Sequence, residues 1–201
     1  MKASVILFSL LFSVVVITVL PGCSGGKKAE HEHAQTESAD DKTVEATAPQ
    51  FDVSADFRQQ LNNVFKSYIS LKEAFVASDL QKVKSEASST SQAVAAVDMK
   101  LLTGAAHNDW MSYLTPIQTS LKEIENSADI ESQRKSFSTL SENLYKSIKA
   151  FGLGGTEAFY EYCPMAFDNE GAYWLSDQTV IRNPYFGDAM LTCGVVKEKL
   201  Q

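Results

Sequence analysis

From Ser54 onward, large apolar residues return every three or four positions, the period of a helix with one buried face. Phe57, Leu61, Val64, Tyr68, Leu71 and Phe75 mark a first segment, with Phe65 beside them. Leu80, Val83, Ala87, Val94, Val97 and Leu101 mark a second, with Thr90 on the same face. Trp110, Leu114, Ile117, Leu121 and Ile124 mark a third, and Ile130, Phe137, Leu140, Leu144, Ile148 and Phe151 a fourth. Asp56, Asp79 and Asp129 stand where N-caps are expected. Gly104 breaks the second segment, and Gly152 with the Gly154-Gly155 pair ends the fourth. Pro116 interrupts the third: Thr115-Pro116-Ile117-Gln118 either starts a helix or kinks one. Four amphipathic segments with short links predict a mainly α fold, an antiparallel four-helix bundle over 54–152.

The pattern changes after Gly152. Residues 153–201 show no long helical period and concentrate aromatics: Phe159, Tyr160, Tyr162, Phe167, Tyr173, Trp174, Tyr185 and Phe186. Turn formers such as Asn183-Pro184 and Gly187 punctuate them. The expectation is a small, irregular, partly extended C-terminal module, with a strand near Gly171–Leu175, packed on the bundle.

Upstream of the bundle the pattern is of two kinds. Lys2 is the one charge before Gly22, and Ala3 to Leu20 is a nearly unbroken apolar run. Leu20-Pro21-Gly22-Cys23 follows, so residues 1–22 have the form of a secretory signal. A Cys directly after Leu-x-Gly resembles the bacterial lipoprotein cleavage box, which implies cleavage before Cys23 and lipidation of it. The alternative is a plain signal-anchor helix, since the run approaches a membrane span in length. Residues 23–53 are expected to be a disordered tether, because 24–50 hold no aromatic residue and Val44 alone among large aliphatics. Such a tether would reach roughly 30 Å from the lipid. His31-Glu32-His33 within it is read as a solvated polar stretch, the alternative being a weak metal lure.

Charge narrows the function. The chain of 201 residues has a net charge of −7, which argues against nucleic acid as a partner. No Gly-rich phosphate loop, G-x-S-x-G elbow, H-E-x-x-H or C-x-x-C pair is present. No catalytic site is read, and the chain is expected not to be an enzyme.

Two short clusters remain, Cys163-Pro164-Met165 and Met190-Leu191-Thr192-Cys193. Thiolate and thioether are soft donors, which together select soft ions, above all Cu(I). An extended C-x-M piece places both side chains on one face, and M-x-x-C fits one helical turn. Convergence of Cys163, Met165, Met190 and Cys193 would give an all-sulfur site for copper, Cu(I), or for silver. The competing reading is a Cys163–Cys193 disulfide, favoured in an exported protein, with no metal and with both methionines as core filler. It makes the chain a structural or interaction module. Glu161, beside Cys163, disfavours a reactive thiolate.

The stretches Tyr160-x-Tyr162-Cys163-Pro164-Met165-Ala166, Gly171-Ala172-x-Trp174-Leu175-Ser176 and Ile181-x-Asn183-Pro184-Tyr185-Phe186-Gly187-x-x-Met190-Leu191-x-Cys193-Gly194 resemble a bacterial envelope domain family of unknown function, numbered 3347. His107-Asn108-x-Trp110-x-x-Tyr113-Leu114-x-Pro116-Ile117 is similar to it too, so the resemblance spans roughly 54–197. That family occurs as lone lipoproteins and on periplasmic adaptors of heavy-metal efflux pumps. The resemblance implies a protein of the bacterial cell envelope, lipid-anchored through Cys23, facing the periplasm or the cell surface. Its partners would be the membrane and a periplasmic efflux adaptor, and its task soft-metal buffering or hand-over. It also favours His107 as a further ligand, with Asp109 beside it able to orient the ring; the alternative is an end-of-helix His bonded to backbone or water.

Overall fold

The computed structural model describes residue 46 and residues 48–201. The expected signal segment 1–22, Cys23 with its expected lipidation, and His31 and His33 lie outside the described residues.

Four long helices come first: α1 Ala55–Val76, α2 Leu80–Ala95, α3 Gly104–Asn126 and α4 Ile130–Phe151. Asp79 caps α2 by accepting from the amides of Gln81 and Lys82, and Asp129 caps α4 by accepting from the Ser132 amide. The cap of α1 is Ser54, whose hydroxyl accepts from the Phe57 amide; Asp56, expected in that role, is the second residue of the helix, within its first turn. There its charge still suits the positive end of the helix dipole. Gly104 opens α3 with φ +57, a left-handed value that glycine adopts without strain. The helix then passes through Pro116 unbroken, so no helix starts at Thr115. The stripe Trp110, Leu114, Ile117, Leu121 and Ile124 stays buried on both sides of the proline.

α1 packs on α2, α2 on α3 and α3 on α4, whereas α1 and α4 have little close backbone contact. Aromatic rings span that gap. Phe57 meets Phe151 edge-on at 5.1 Å, and Phe137 meets both Tyr68 and Phe75, at 5.2 and 4.5 Å.

The C-terminal module is a three-stranded antiparallel sheet of β1 Ala158–Cys163, β2 Ala172–Ser176 and β3 Val195–Leu200, in the order β2-β1-β3. β2 packs on α4, and from α1 the Tyr68 hydroxyl accepts the Leu175 amide at 3.1 Å. One face of the sheet turns to α4, where Tyr145, Tyr160 and Tyr173 stack in a row and Tyr162 tilts against Tyr173. Glu161, Cys163 and Trp174 alternate with these tyrosines and belong to the other face. The fold is therefore mainly helical, with a small sheet added to a bundle.

The expected tether boundary needs correction. Within the stretch expected to be disordered, Phe51 stacks on Phe151 at 5.5 Å and its amide donates to the Ala150 carbonyl. Pro49 lies against Gly152, where an added Cβ would meet its ring at 2.6 Å. Packing begins before Ser54 because Phe51 and Val53 offer apolar area to the open end of the bundle.

Candidate functional site

The four sulfur residues come from the two ends of the sheet's connections. Cys163 ends β1 and is fully buried. The chain then turns at Pro164, so Cys163 and Met165 do not share one face of an extended piece. Met165 is helical in conformation (φ −92, ψ −9) and 46% exposed. Cys193 closes a turn in which its amide donates to the Met190 carbonyl at 3.1 Å. Its thiol is near enough to that of Cys163 for the two to influence one another, and both are free thiols. The neighbouring thiol, with burial second, pushes the Cys193 thiol up to about 11. Cys193 therefore keeps its proton at neutral pH.

Met165 and Met190 line one cleft of about 650 Å³, with Ala166, Phe167, Tyr185 and Phe186 as its other apolar walls and Glu131, Lys135 and Asp168 among its polar ones. Neither thiol lines the cleft; Cys163 precedes Met165 by two residues and Cys193 follows Met190 by three. Part of the wall is a strained turn: Phe167, Asp168 and Asn169 all have positive φ, at 51, 56 and 73. The left-handed conformation costs roughly 1–2 kcal/mol for a residue with a Cβ. Phe167 is held there by edge-on contact with Tyr185 at 5.3 Å.

Buried Asn183 fixes the second sulfur cluster. Its side-chain amide donates to the Cys193 carbonyl at 2.7 Å and accepts from the Tyr185 amide at 2.8 Å, while its own amide donates to Leu191. Arg134, from α4, donates to the Pro184 carbonyl and to Ser78, tying this segment to the bundle. Gly194 follows, and a Cβ there would strike Trp174 at 2.7 Å.

His107 is not part of this site. It lies in the first turn of α3, just before Trp110, whose ring meets Phe151 at 6.2 Å. The cleft meets α4 at Glu131 and Lys135. Lys135 and Phe151 stand roughly 24 Å apart at about 1.5 Å of rise per residue. The antiparallel bundle thus holds His107 at its opposite end, and Asp109 with it. Among the described residues no group of three or more His, Cys, Asp or Glu could hold a metal. An ion here would depend on sulfur, which is the donor set the two clusters supply.

Sequence reasoning missed the left-handed turn and the clamping role of Asn183. The run Asp168-Asn169-Glu170-Gly171 carries turn-forming residues that signal the first. Nothing in the sequence marks Asn183 as a clamp, since its partners are backbone groups.

Residues 64–156 match the model of a family described as Protein of unknown function (DUF3347). Over these residues the chain is similar to that family, which supports the resemblance read from the sequence. The DUF3347 match covers most of the bundle and stops before β1, so the sheet and all four sulfur residues lie beyond it. No curated protein and no solved structure matches the chain.

Proposed function

We propose that this chain is a lipid-anchored protein of the bacterial envelope that binds a soft monovalent ion, Cu(I) or Ag(I), through Cys163 and Cys193. Met165 and Met190 are additional donors, and the ion is buffered or handed to an efflux adaptor. The reading is supported by the closeness of the two thiols and by the single cleft that both methionines line. Thiolates provide charge and soft sulfur, and thioethers add soft donors without charge, a combination that favours Cu(I) over Zn(II). Exposed Met165 offers a first contact for an arriving ion. His107 leaves the ligand set, because the bundle holds it at the far end. The reading includes no catalysis.

Binding must displace the Cys193 proton. Apparent affinity for Cu(I) is therefore expected to rise by about tenfold per pH unit for each proton released, at pH values well below 11. A pH-independent affinity between pH 6 and 8 would contradict thiolate ligation.

The same closeness of the thiols favours a second reading, a Cys163–Cys193 disulfide that staples the module. A loop of this length would add roughly 3–4 kcal/mol on the chain-entropy model. Alkylation of the protein in intact cells, followed by mass spectrometry, separates the two. Two alkylated thiols support the ion site; a quantitative disulfide in metal-replete cells supports the staple.

A further inference from the structure

The sheet face that carries Cys163 also carries a group of buried polar atoms with no hydrogen-bond partner. Glu161 is fully buried, and neither of its carboxyl oxygens is bonded. Trp174 is its register partner on β2 and is equally buried. The indole N–H faces the carboxyl without making a well-formed bond to it. From α1, the buried Lys72 ammonium is close enough to act electrostatically on Glu161. Lys72 Nζ lies 2.7 Å from Glu73 Oε1, yet meets no acceptor in good hydrogen-bond geometry. Glu73 is itself shared, since its Oε2 accepts from Arg182 at 3.0 Å. Asp177 also acts on Glu161 from the segment after β2.

Each unsatisfied buried group costs about 1–3 kcal/mol, and more when charged. Folded proteins therefore leave few of them, and usually satisfy such groups with ordered water. The other unpaired atoms, on Asn62, Trp110 and Gln133, belong to separate positions on α1, α3 and α4. Here Glu161 and Trp174, register partners on β1 and β2, bring three such atoms together, and Lys72 of α1, ion-paired to Glu73 on one side, adds a charged donor that acts on Glu161.

We propose that Lys72, Glu161 and Trp174 form an internal hydration site, where at least one ordered water bridges the ammonium, the carboxyl and the indole N–H and so joins α1 to the sheet. A buried water typically makes about three hydrogen bonds, the number of distinct groups this cluster offers. The site is the floor of the sulfur module. Glu161 and Cys163 are alternate residues on β1, about 7 Å apart along the strand, and the backbone beside Cys193 rests on the Trp174 ring. The inference does not depend on any ion at the thiols.

A crystal structure of the full chain, at a resolution that shows ordered water, tests it. The expected result is a water within hydrogen-bond distance of at least two of Lys72 Nζ, the Glu161 carboxyl and Trp174 Nε1, in every copy in the crystal. A dry cluster, with Lys72 Nζ directly on the Glu161 carboxyl or the indole N–H closed onto it, would overturn the proposal.

Discussion

Glu161 is a carboxyl placed where water cannot reach it freely. Burial pushes it up to about 7 from an ordinary 4.5, opposed by Lys72 and by the Trp174 N–H. The folded protein therefore holds this proton more tightly than the unfolded chain does. Its contribution to stability is complete below pH 4.5 and is lost as pH rises through about 7. Glu161→Gln should flatten this part of the pH–stability curve, as read by urea unfolding at pH 5 and pH 8; an unchanged difference would contradict the burial argument. Asp168 offers a second test. Its φ of 56 disfavours any residue with a Cβ, so Asp168→Gly should be about 1 kcal/mol more stable than Asp168→Ala. Equal stabilities would show that the turn is not strained. Neither feature was legible in the sequence beyond a hint. Glu161 sits among aromatics in an ordinary strand pattern, and its partner Lys72 lies on a helix that periodicity alone would let turn outward.

The helices were the most legible elements, because each buries a stripe that repeats in phase with the helical turn. The period survives Pro116, and it is the period that prevails there. The strands were harder. β2 was signalled by its aromatics, whereas β3, Val-Val-Lys-Glu-Lys-Leu, reads as a charged tail until its pairing with β1 is seen. Pairing between strands is set by distant neighbours, and no local pattern encodes it. The joint between sheet and bundle was equally hidden. Tyr68 reads as one more apolar position on α1, yet its hydroxyl both accepts the Leu175 amide and bonds Ser141 at 2.7 Å. Tyr68→Phe should cost about 1–3 kcal/mol by leaving buried groups unpaired, with a matching fall in the unfolding midpoint. An unchanged midpoint would mean that the sheet docks without this bond. At the other end, Phe51→Ala should destabilise by about 1–2 kcal/mol through its half-buried ring, a loss that a tether merely trailing in solvent would not show.

At the scale of the molecule, the bundle acts as a scaffold. Arg134, Tyr68 and the aromatic rings between α1 and α4 hold a small sheet whose end and loops carry the two cysteines and two methionines. Sequence spacing named the four sulfur residues, but it could not show that Cys163 is buried while Met165 faces a cleft. Nor could it show that His107 is a bundle length away. Proximity in the chain and a motif resemblance gave no measure of that distance. Among the described residues no helix is long and apolar enough to cross a membrane, and attachment through Cys23 remains part of the proposal. Intact-mass analysis of the membrane fraction should show a chain beginning at acylated Cys23, and a chain beginning at Met1 would remove the anchor. The central claim is the sulfur site. A Cu(I) competition titration on the reduced protein, comparing wild type with Met165→Leu and Met190→Leu, tests it most directly. Leucine keeps the volume and removes the donor, so folding stability should hold. The account predicts binding of one Cu(I) by wild type and weaker binding by both variants. No binding by wild type, or unchanged affinity in both variants, would contradict it.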